Sequence, residues 1–486
     1  MKSKQRTSSA TVDSGRYESP LVARNASRAM AAVFSPIHRA RTWRRVWLAL
    51  AEAEHELGLP VTATQVRALR QYVDDVDLRA AARHERRLRH DVMAHLYAYA
   101  DQAPAARGIL HLGATSMDIV DNADLILLRE ALSLIQQWLV TAVDALAAQA
   151  RRHRRLACVG FTHYQPAQLT TVGKRAALWC WDFIRDLEEI GSRLESLRFR
   201  GIRGATGTQA SFLKLFDGNA AGVARLERRV AAKLGFRSCE PVTGQTYSRK
   251  VDVQVLSALA SIAAGAHKFA NDLRLLANLG EIEEPAVESQ VGSSAMAYKR
   301  NPMLCERATG LARFVISLAQ SAFQTAAEQW LERTLDDSSN KRLIVPEAFL
   351  ATDGILQIVV HVARGMVVYP KVIRARIASA LPFLATEDIL IAGVAAGGDR
   401  QALHERIRVH SRAAAEVIKV LGGKNDLLER LRGDPAFADV PIGDIVRPEA
   451  FVGLAPQQVD AFLKTVVGPL RRRHRRTPRR EPEFEV

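Results

Sequence analysis

Two adjacent serines, a lysine and an asparagine fall within one short glycine-led string, Gly292-Ser-Ser-Ala-Met-Ala-Tyr-Lys-Arg-Asn-Pro302. A serine hydroxyl is a weak base until cations and hydrogen-bond donors stabilise its alkoxide, and Lys299 and Asn301 are spaced to supply both. This is equipment for taking a proton from carbon and holding the resulting anion. Two other polar stretches could serve the same chemistry. In His111-Leu-Gly-Ala-Thr-Ser116 the hydroxyls of Thr115 and Ser116 stand beside the first amides of a helix, which suits a carboxylate or other anion, although Ser116 as a plain helix cap is the alternative. In Gly160-Phe-Thr-His-Tyr-Gln-Pro-Ala-Gln168, His163 sits among polar side chains, either as a structural histidine or as a proton donor.

The elements that must position these loops are helices. Between Gly113 and Gly160 there is neither Gly nor Pro, and Leu125, Leu128, Leu132, Ile135, Leu139, Ala142 and Leu146 alternate spacings of three and four, the seam of a long bundle helix. The pattern recurs from Ala177 through Cys180, Ile184, Leu187 and Gly191 to Leu194. It returns from Val255 through Leu259, Ile262, Ala266, Phe269 and Leu273 to Leu276. A further stretch from Met303 to Val345 has Gly310 as its only breaker. Leu256, Ala260 and Ala263 add a second apolar strip, so association of subunits through the bundle is expected. Thr42 to Leu57 reads as an earlier helix closed by Gly58 and Pro60, and from Tyr369 onward the helices shorten.

The expectation is therefore an all-α chain with three helical domains. A disordered tail (1–18) precedes an N-terminal helical domain (19–115). A central long-helix bundle (116–368) and a C-terminal helical domain (369–470) follow, and a basic, solvated tail (471–486) ends the chain. An apolar content of 48% with 25% charged residues excludes wholesale disorder, and only 6% aromatics favours helix over sheet. Cys158, Cys180, Cys239 and Cys305 fall in no metal-ligand or redox spacing and read as free thiols in a reducing compartment. No apolar run is taken to be long enough for a bilayer and no signal peptide opens the sequence, so a cytoplasmic protein is expected. The net charge is +16. From Leu470 onward seven arginines face Glu481, Glu483 and Glu485, a net of +4, which leaves +12 for the body. Such a field steers small anionic substrates or nucleic acid, and nucleic acid is disfavoured because no recognition module is present.

Taken together, the three polar stretches resemble the segments from which the fumarase/aspartase superfamily builds one active site, one segment from each of three subunits. Longer strings narrow the resemblance. Arg86-Arg-Leu-Arg-His-Asp-Val-Met-Ala-His95, His163-Tyr-Gln-Pro-Ala-Gln-Leu-Thr-Thr-Val-Gly-Lys-Arg175, Gly204-Ala-Thr-Gly-Thr-Gln-Ala-Ser-Phe212, Thr243-Gly-Gln-Thr-Tyr-Ser-Arg-Lys250 and Glu332-Arg-Thr-Leu-Asp-Asp-Ser338 are similar to the adenylosuccinate lyase family, in the branch that includes the animal enzymes. That resemblance spans Ser19 to about Leu470. It implies a homotetrameric lyase without cofactor or metal that eliminates fumarate from phosphorylated succinyl substrates. It also implies Ser293 as base, His163 as acid, Lys299 and Asn301 on the carboxylate, and Glu306 orienting His163. Arg24 would meet the phosphate end and Arg89, His90 and Asp91 the nucleotide side. Thr115 and Ser116 would hold a succinyl carboxylate. Asn25, Thr162, Gln245, Arg307, Arg333, Ser338 and Arg342 complete the implied pocket.

Two positions depart from the family pattern. Ala297 stands where the signature loop usually has proline, which makes ordering of the loop costlier. Asn25 stands where the branch carries tyrosine, leaving one nucleotide contact to an amide. A superfamily lyase acting on argininosuccinate or a small dicarboxylate is the alternative, and a catalytically silent structural or nucleic-acid-binding relative is a third.

Overall fold

The Gly- and Pro-free stretch forms one helix, Ser116–Arg152, of 37 residues, and every one of its seven seam positions is buried. Residues 17–286, 293–445 and 451–483 are described by this computed structural model. The expected disordered start therefore lies outside the described residues except for its last two positions. Around the Ser116–Arg152 helix stand Val172–Ser196, Lys250–Asn278, Met303–Ala327 and Asp336–Gly365. Ser116–Arg152 packs on Val172–Ser196 and on Asp336–Gly365. Lys250–Asn278 packs on Met303–Ala327, Val172–Ser196 and Asp336–Gly365. All seven seam residues from Val255 to Leu276 are buried. Spacing of three and four puts these side chains on one stripe, and the stripe faces the shared core.

Three features differ from the expectation. The stretch from Met303 to Val345 is two helices, broken between Ala327 and Asp336. No Gly or Pro marks the break. Instead the Thr334 hydroxyl accepts the Trp330 N–H at 2.8 Å, and Leu331 takes a left-handed φ of 48°, so a local side-chain bond replaces the helical one. The second helix continues past Pro346, which lacks the N–H that would bond to the Arg342 carbonyl. Two helices, Ser116–Arg152 and Asp336–Gly365, are long and apolar enough to cross a membrane by length and composition, contrary to the reading of the sequence, but most of each apolar window is buried inside the protein. Third, the arginine-rich terminus is docked rather than solvated. Helix Gly468–Arg473 crosses the expected boundary, and Arg471 and Arg479 each pair with Asp144.

The N-terminal region is held by helix Pro36–Glu56, which starts with Ser35 accepting the His38 N–H and proline in the first turn, and ends before Gly58 at φ +80°. Beyond Tyr369 a second core forms from Ile389, Leu403, Ile407, Leu427, Leu431 and Phe437. The chain then returns, since Val459, Leu463, Val467 and Leu470 join the main core. Two short antiparallel ladders interrupt the helices, Ala157–Thr162 with Gln165–Thr171 and Ile282–Glu283 with Val367–Val368. All four cysteines are free.

Candidate active site

The N-terminal end of Ser116–Arg152 opens into a cleft of about 480 Å³. Its lining includes Glu85, Arg89, His90, Asp91, Ser116, Arg333, Ser338 and Arg342. Thr115, not Ser116, is the helix cap, and its N–H donates to Asp118 at 2.8 Å. The Ser116 hydroxyl is thus left at the first turn, where helix amides and the dipole favour an anion. Arg89 ends helix Leu78–Leu88 at φ 55°, a left-handed conformation that costs a non-glycine residue about 1 kcal/mol or more. That turn brings His90 and Asp91 to the start of the next helix. Arg342 reaches across to Asp91 at 2.8 Å. Burial by itself raises the Asp91 pKa, but the Val92 N–H and the Arg342 guanidinium outweigh it and hold the carboxyl below its usual range.

Arg333 and Gln245 face the same space. Arg333 Nη1 donates to Gln245 Oε1 at 2.7 Å, and its Nη2 lies 3.4 Å from Ser338 Oγ. Gly244 lets the chain pass close enough for this, because a Cβ there would lie 2.7 Å from the Glu332 carbonyl oxygen. Beneath the cleft lies an ionic layer that reading the sequence missed. Arg249 pairs with Asp121 at 3.1 Å and with Asp337 at 2.6 Å, and Arg200 pairs with Asp118 at 2.5 Å, all of them buried. Lys341 adds bonds to Asp121 and Asp124. Ser338 donates to Asp337 at 3.3 Å, so the layer orients a hydroxyl of the cleft. The available signal was Asp118, Asp121 and Asp124, carboxylates three residues apart on one face of the start of a bundle helix, which demand cations where that face is buried.

His163 lies elsewhere. With Tyr164 it forms the tip of the hairpin between Ala157–Thr162 and Gln165–Thr171, at φ 53° and 59°. Two consecutive left-handed residues are the geometry of a type I′ turn, which glycine or asparagine usually occupies. Thr162 and His163 are exposed. The hairpin follows the C-terminal end of the same helix whose N-terminus carries Ser116. Its 37 residues put about 55 Å between the two helix ends at 1.5 Å per residue, and the eleven residues from His153 to His163 can span at most about 36 Å of that.

No described residue of the signature loop lines the cleft of its own chain. Gly292 lies outside the described residues. Ser293 Oγ accepts the Met296 N–H at 3.1 Å, and Lys299 N–H donates to the Met296 carbonyl at 3.0 Å. The loop ends where Glu284 accepts the N–H groups of Leu304 and Cys305. Lys299 is exposed, and Asn301 stands just before helix Met303–Ala327. Glu306, in the first turn of that helix, lies 3.7 Å from Arg274. Among the described residues no bond joins Glu306 to His163 in one chain. Arg307 is partly buried, with its Nη1 lacking a hydrogen-bond partner among the described residues. Arg24 is exposed on the single turn Leu21–Asn25. Asn25 donates its amide to the Pro20 carbonyl at 2.9 Å, so that amide serves its own turn.

The fold therefore gathers Arg89, His90, Asp91, Ser116, Gln245, Arg333, Ser338 and Arg342 in one chain, with Thr115 at the adjoining cap. Thr162 and His163 stand apart at the hairpin tip, Ser293, Lys299, Asn301, Glu306 and Arg307 at the loop, and Arg24 and Asn25 at the N-terminal turn. Comparison with known proteins gives this arrangement a lineage. A family described as "Lyase" matches residues 34–317, more than half of the chain, and "Adenylosuccinate lyase C-terminus" matches residues 382–462. The chain is 50% identical over 456 residues to adenylosuccinate lyase of Schizosaccharomyces pombe, covering 93% of this chain and 95% of that protein. It is 50% identical over 457 residues to that of Saccharomyces cerevisiae, with the same coverage. The chain belongs to the adenylosuccinate lyase family. A relative in Schistosoma mansoni is 44% identical over 458 residues. The fold is shared with a solved fumarate lyase from Mesorhizobium sp. BNC1 at a TM-score of 0.79 and 24% identity, covering 93% of this chain and 100% of that one. Membership in this family makes the expected fold class and lyase chemistry those of its relatives.

Proposed function

We propose that the protein eliminates fumarate from adenylosuccinate, giving AMP, and from the succinyl-carboxamide imidazole ribotide, giving its carboxamide. The observation that carries this reading is the cleft itself. Three guanidiniums, Arg89, Arg333 and Arg342, and the hydroxyls of Ser116 and Ser338 converge on one open space at a helix N-terminus. A substrate with a phosphate and two carboxylates matches such a surface in sign and in hydrogen-bonding capacity. In the reaction Ser293 takes the proton from the succinyl carbon, the electron pair forms the C=C bond as the C–N bond breaks, and His163 delivers a proton to the departing nitrogen. Lys299 and Asn301 hold the carboxylate on which charge develops, and Thr115 and Ser116 hold the other.

The length of the helix between the cleft and the hairpin, and the absence of described hairpin or signature-loop residues from the lining of the cleft, support a site assembled from several chains, with the cleft from one, the hairpin from a second and the signature loop from a third. Exposed apolar side chains on the long helices, Leu178, Leu275, Phe314 and Phe323, favour the same association, and a homotetramer is the assembly proposed. The test is initial-rate release of fumarate by the purified protein. Turnover of adenylosuccinate supports the proposal. Turnover of argininosuccinate alone would move the protein to another activity, and no release from either would leave a silent relative.

A further inference from the structure

The arginine-rich terminus runs along the body to the segment that carries Arg24. Asp144 anchors it, with Arg471 Nε at 2.6 Å and Arg479 Nε at 2.7 Å from its two carboxylate oxygens. Arg480 then lays its guanidinium over the Trp138 ring, 5.2 Å from the centroid, while its N–H donates to Thr141 Oγ1 at 3.1 Å. Trp138 is fully buried, and its indole N–H donates to Asp353 Oδ1 at 2.7 Å. Asp353 in turn accepts the Ser27 N–H at 2.5 Å and the Ser27 hydroxyl at 3.1 Å. Glu483 closes the circuit. Its N–H donates to Gln357 Oε1 at 2.8 Å, and its carboxylate accepts the Arg28 N–H at 3.0 Å. Gln357 Nε2 donates to the Asn25 carbonyl at 2.8 Å.

The segment 479–483 thus reaches both sides of the Asn25–Arg28 link, directly at Arg28 and through one or two side chains at Asn25 and Ser27. The adjoining turn, Leu21–Asn25, is five residues long and buries only Leu21. It rests on helix Asp336–Gly365, with Asn25 close against Gly354, but a single turn with one buried side chain is weakly held and gains order from further bonds. We propose that residues 479–483 are a positioning strap that fixes the Leu21–Asn25 turn, and with it the Arg24 guanidinium, for contact with the substrate phosphate. This rests on the proposed function and on the phosphate contact that the family resemblance implies for Arg24. The benefit is preorganisation, because a turn already held loses less entropy when it closes on an anion.

The experiment uses the full chain, a truncation after Thr477, Arg480→Ala, Arg24→Ala, and the truncation combined with Arg24→Ala. Rates are measured against adenylosuccinate concentration, together with amide hydrogen exchange and the oligomeric state. Truncation and Arg480→Ala should accelerate exchange across residues 21–28 and raise KM roughly five- to tenfold, with kcat within about twofold. In the Arg24→Ala background the truncation should raise KM no further, and Arg480→Lys, which keeps a cation over the ring, should recover part of the loss. Unchanged exchange at 21–28, or a KM effect that multiplies in full with that of Arg24→Ala, overturns the strap. Should Arg24→Ala itself leave KM unaltered, the phosphate role of Arg24 fails, and the exchange result alone decides whether the strap orders the turn. Loss of assembly on truncation moves the decision to Arg480→Ala, read by the same two measurements.

Discussion

Ser116 at the start of one long helix and His163 on the hairpin beyond its far end make a quantitative prediction about mixed oligomers. Within a chain the helix ends lie about 55 Å apart at 1.5 Å per residue, and even a fully extended return over residues 153–163 covers only about 36 Å, so the two side chains cannot meet on one succinyl group. Each complete site must then draw them from different subunits. Ser116→Ala and His163→Ala should each lower turnover by orders of magnitude with the helical fold intact. After subunit exchange at equal concentrations, half of the clefts and half of the hairpins are intact. About one quarter of the sites should therefore hold both groups, and activity should recover to about one quarter of the native rate. The cleft supplies its own control. Arg89 and Ser116 line it within a single chain, so a mixture of Arg89→Ala and Ser116→Ala should recover nothing beyond the mean of its parents. Fumarate release gives the rate, and native mass spectrometry of differently tagged chains verifies mixing. Absence of recovery in verified His163/Ser116 mixtures, or equal recovery in the control pair, refutes the division of the site between chains.

Glu54 is buried and its pKa is pushed up to about 8 by desolvation, against an ordinary 4.5. The folded chain therefore keeps a proton that the unfolded chain releases between those values, so stability falls as pH rises through that window. Glu54→Gln should remove this slope and stabilise the protein above pH 8 by about 3–5 kcal/mol at most; parallel thermal-melting curves for the two proteins from pH 5 to 9 would contradict it. Gly244→Ala puts a methyl 2.7 Å from the Glu332 carbonyl oxygen and 3.0 Å from its Cα. The backbone must shift, disturbing the Arg333–Gln245 bond, and KM should rise by roughly tenfold with the fold preserved; a native KM would show that the cleft does not depend on this contact. Ala297→Pro should leave kcat unchanged or raise it by stiffening the signature loop, and a large loss in a folded oligomer would mean that the loop follows another backbone path.

Local order set much of this protein. Three- and four-residue spacing over Leu125 to Leu146 and over Val255 to Leu276 determined which faces are buried, because a helix repeats within one turn and needs no distant partner to declare its stripe. The polar stretches around Thr115, His163 and Ser293 were legible for the same reason, as residue types incompatible with a buried seam. The tertiary structure decided the rest. Whether the residues from Ala327 to Asp336 continue a helix depended on the Thr334 hydroxyl capturing the Trp330 N–H, a contest between two satisfactory bonds that composition leaves undecided. The two tip positions of the hairpin, His163 and Tyr164, are neither glycine nor asparagine, so nothing in the sequence announced its left-handed tip. The pairing of Arg249 with Asp121 and Asp337, and of Glu483 with Arg28, joins residues far apart in the chain. Their energies come from burial and charge neutralisation that exist only once the helices are packed, and for that reason the arginine-rich terminus read as a solvated tail in the sequence and stands as a docked segment in the fold.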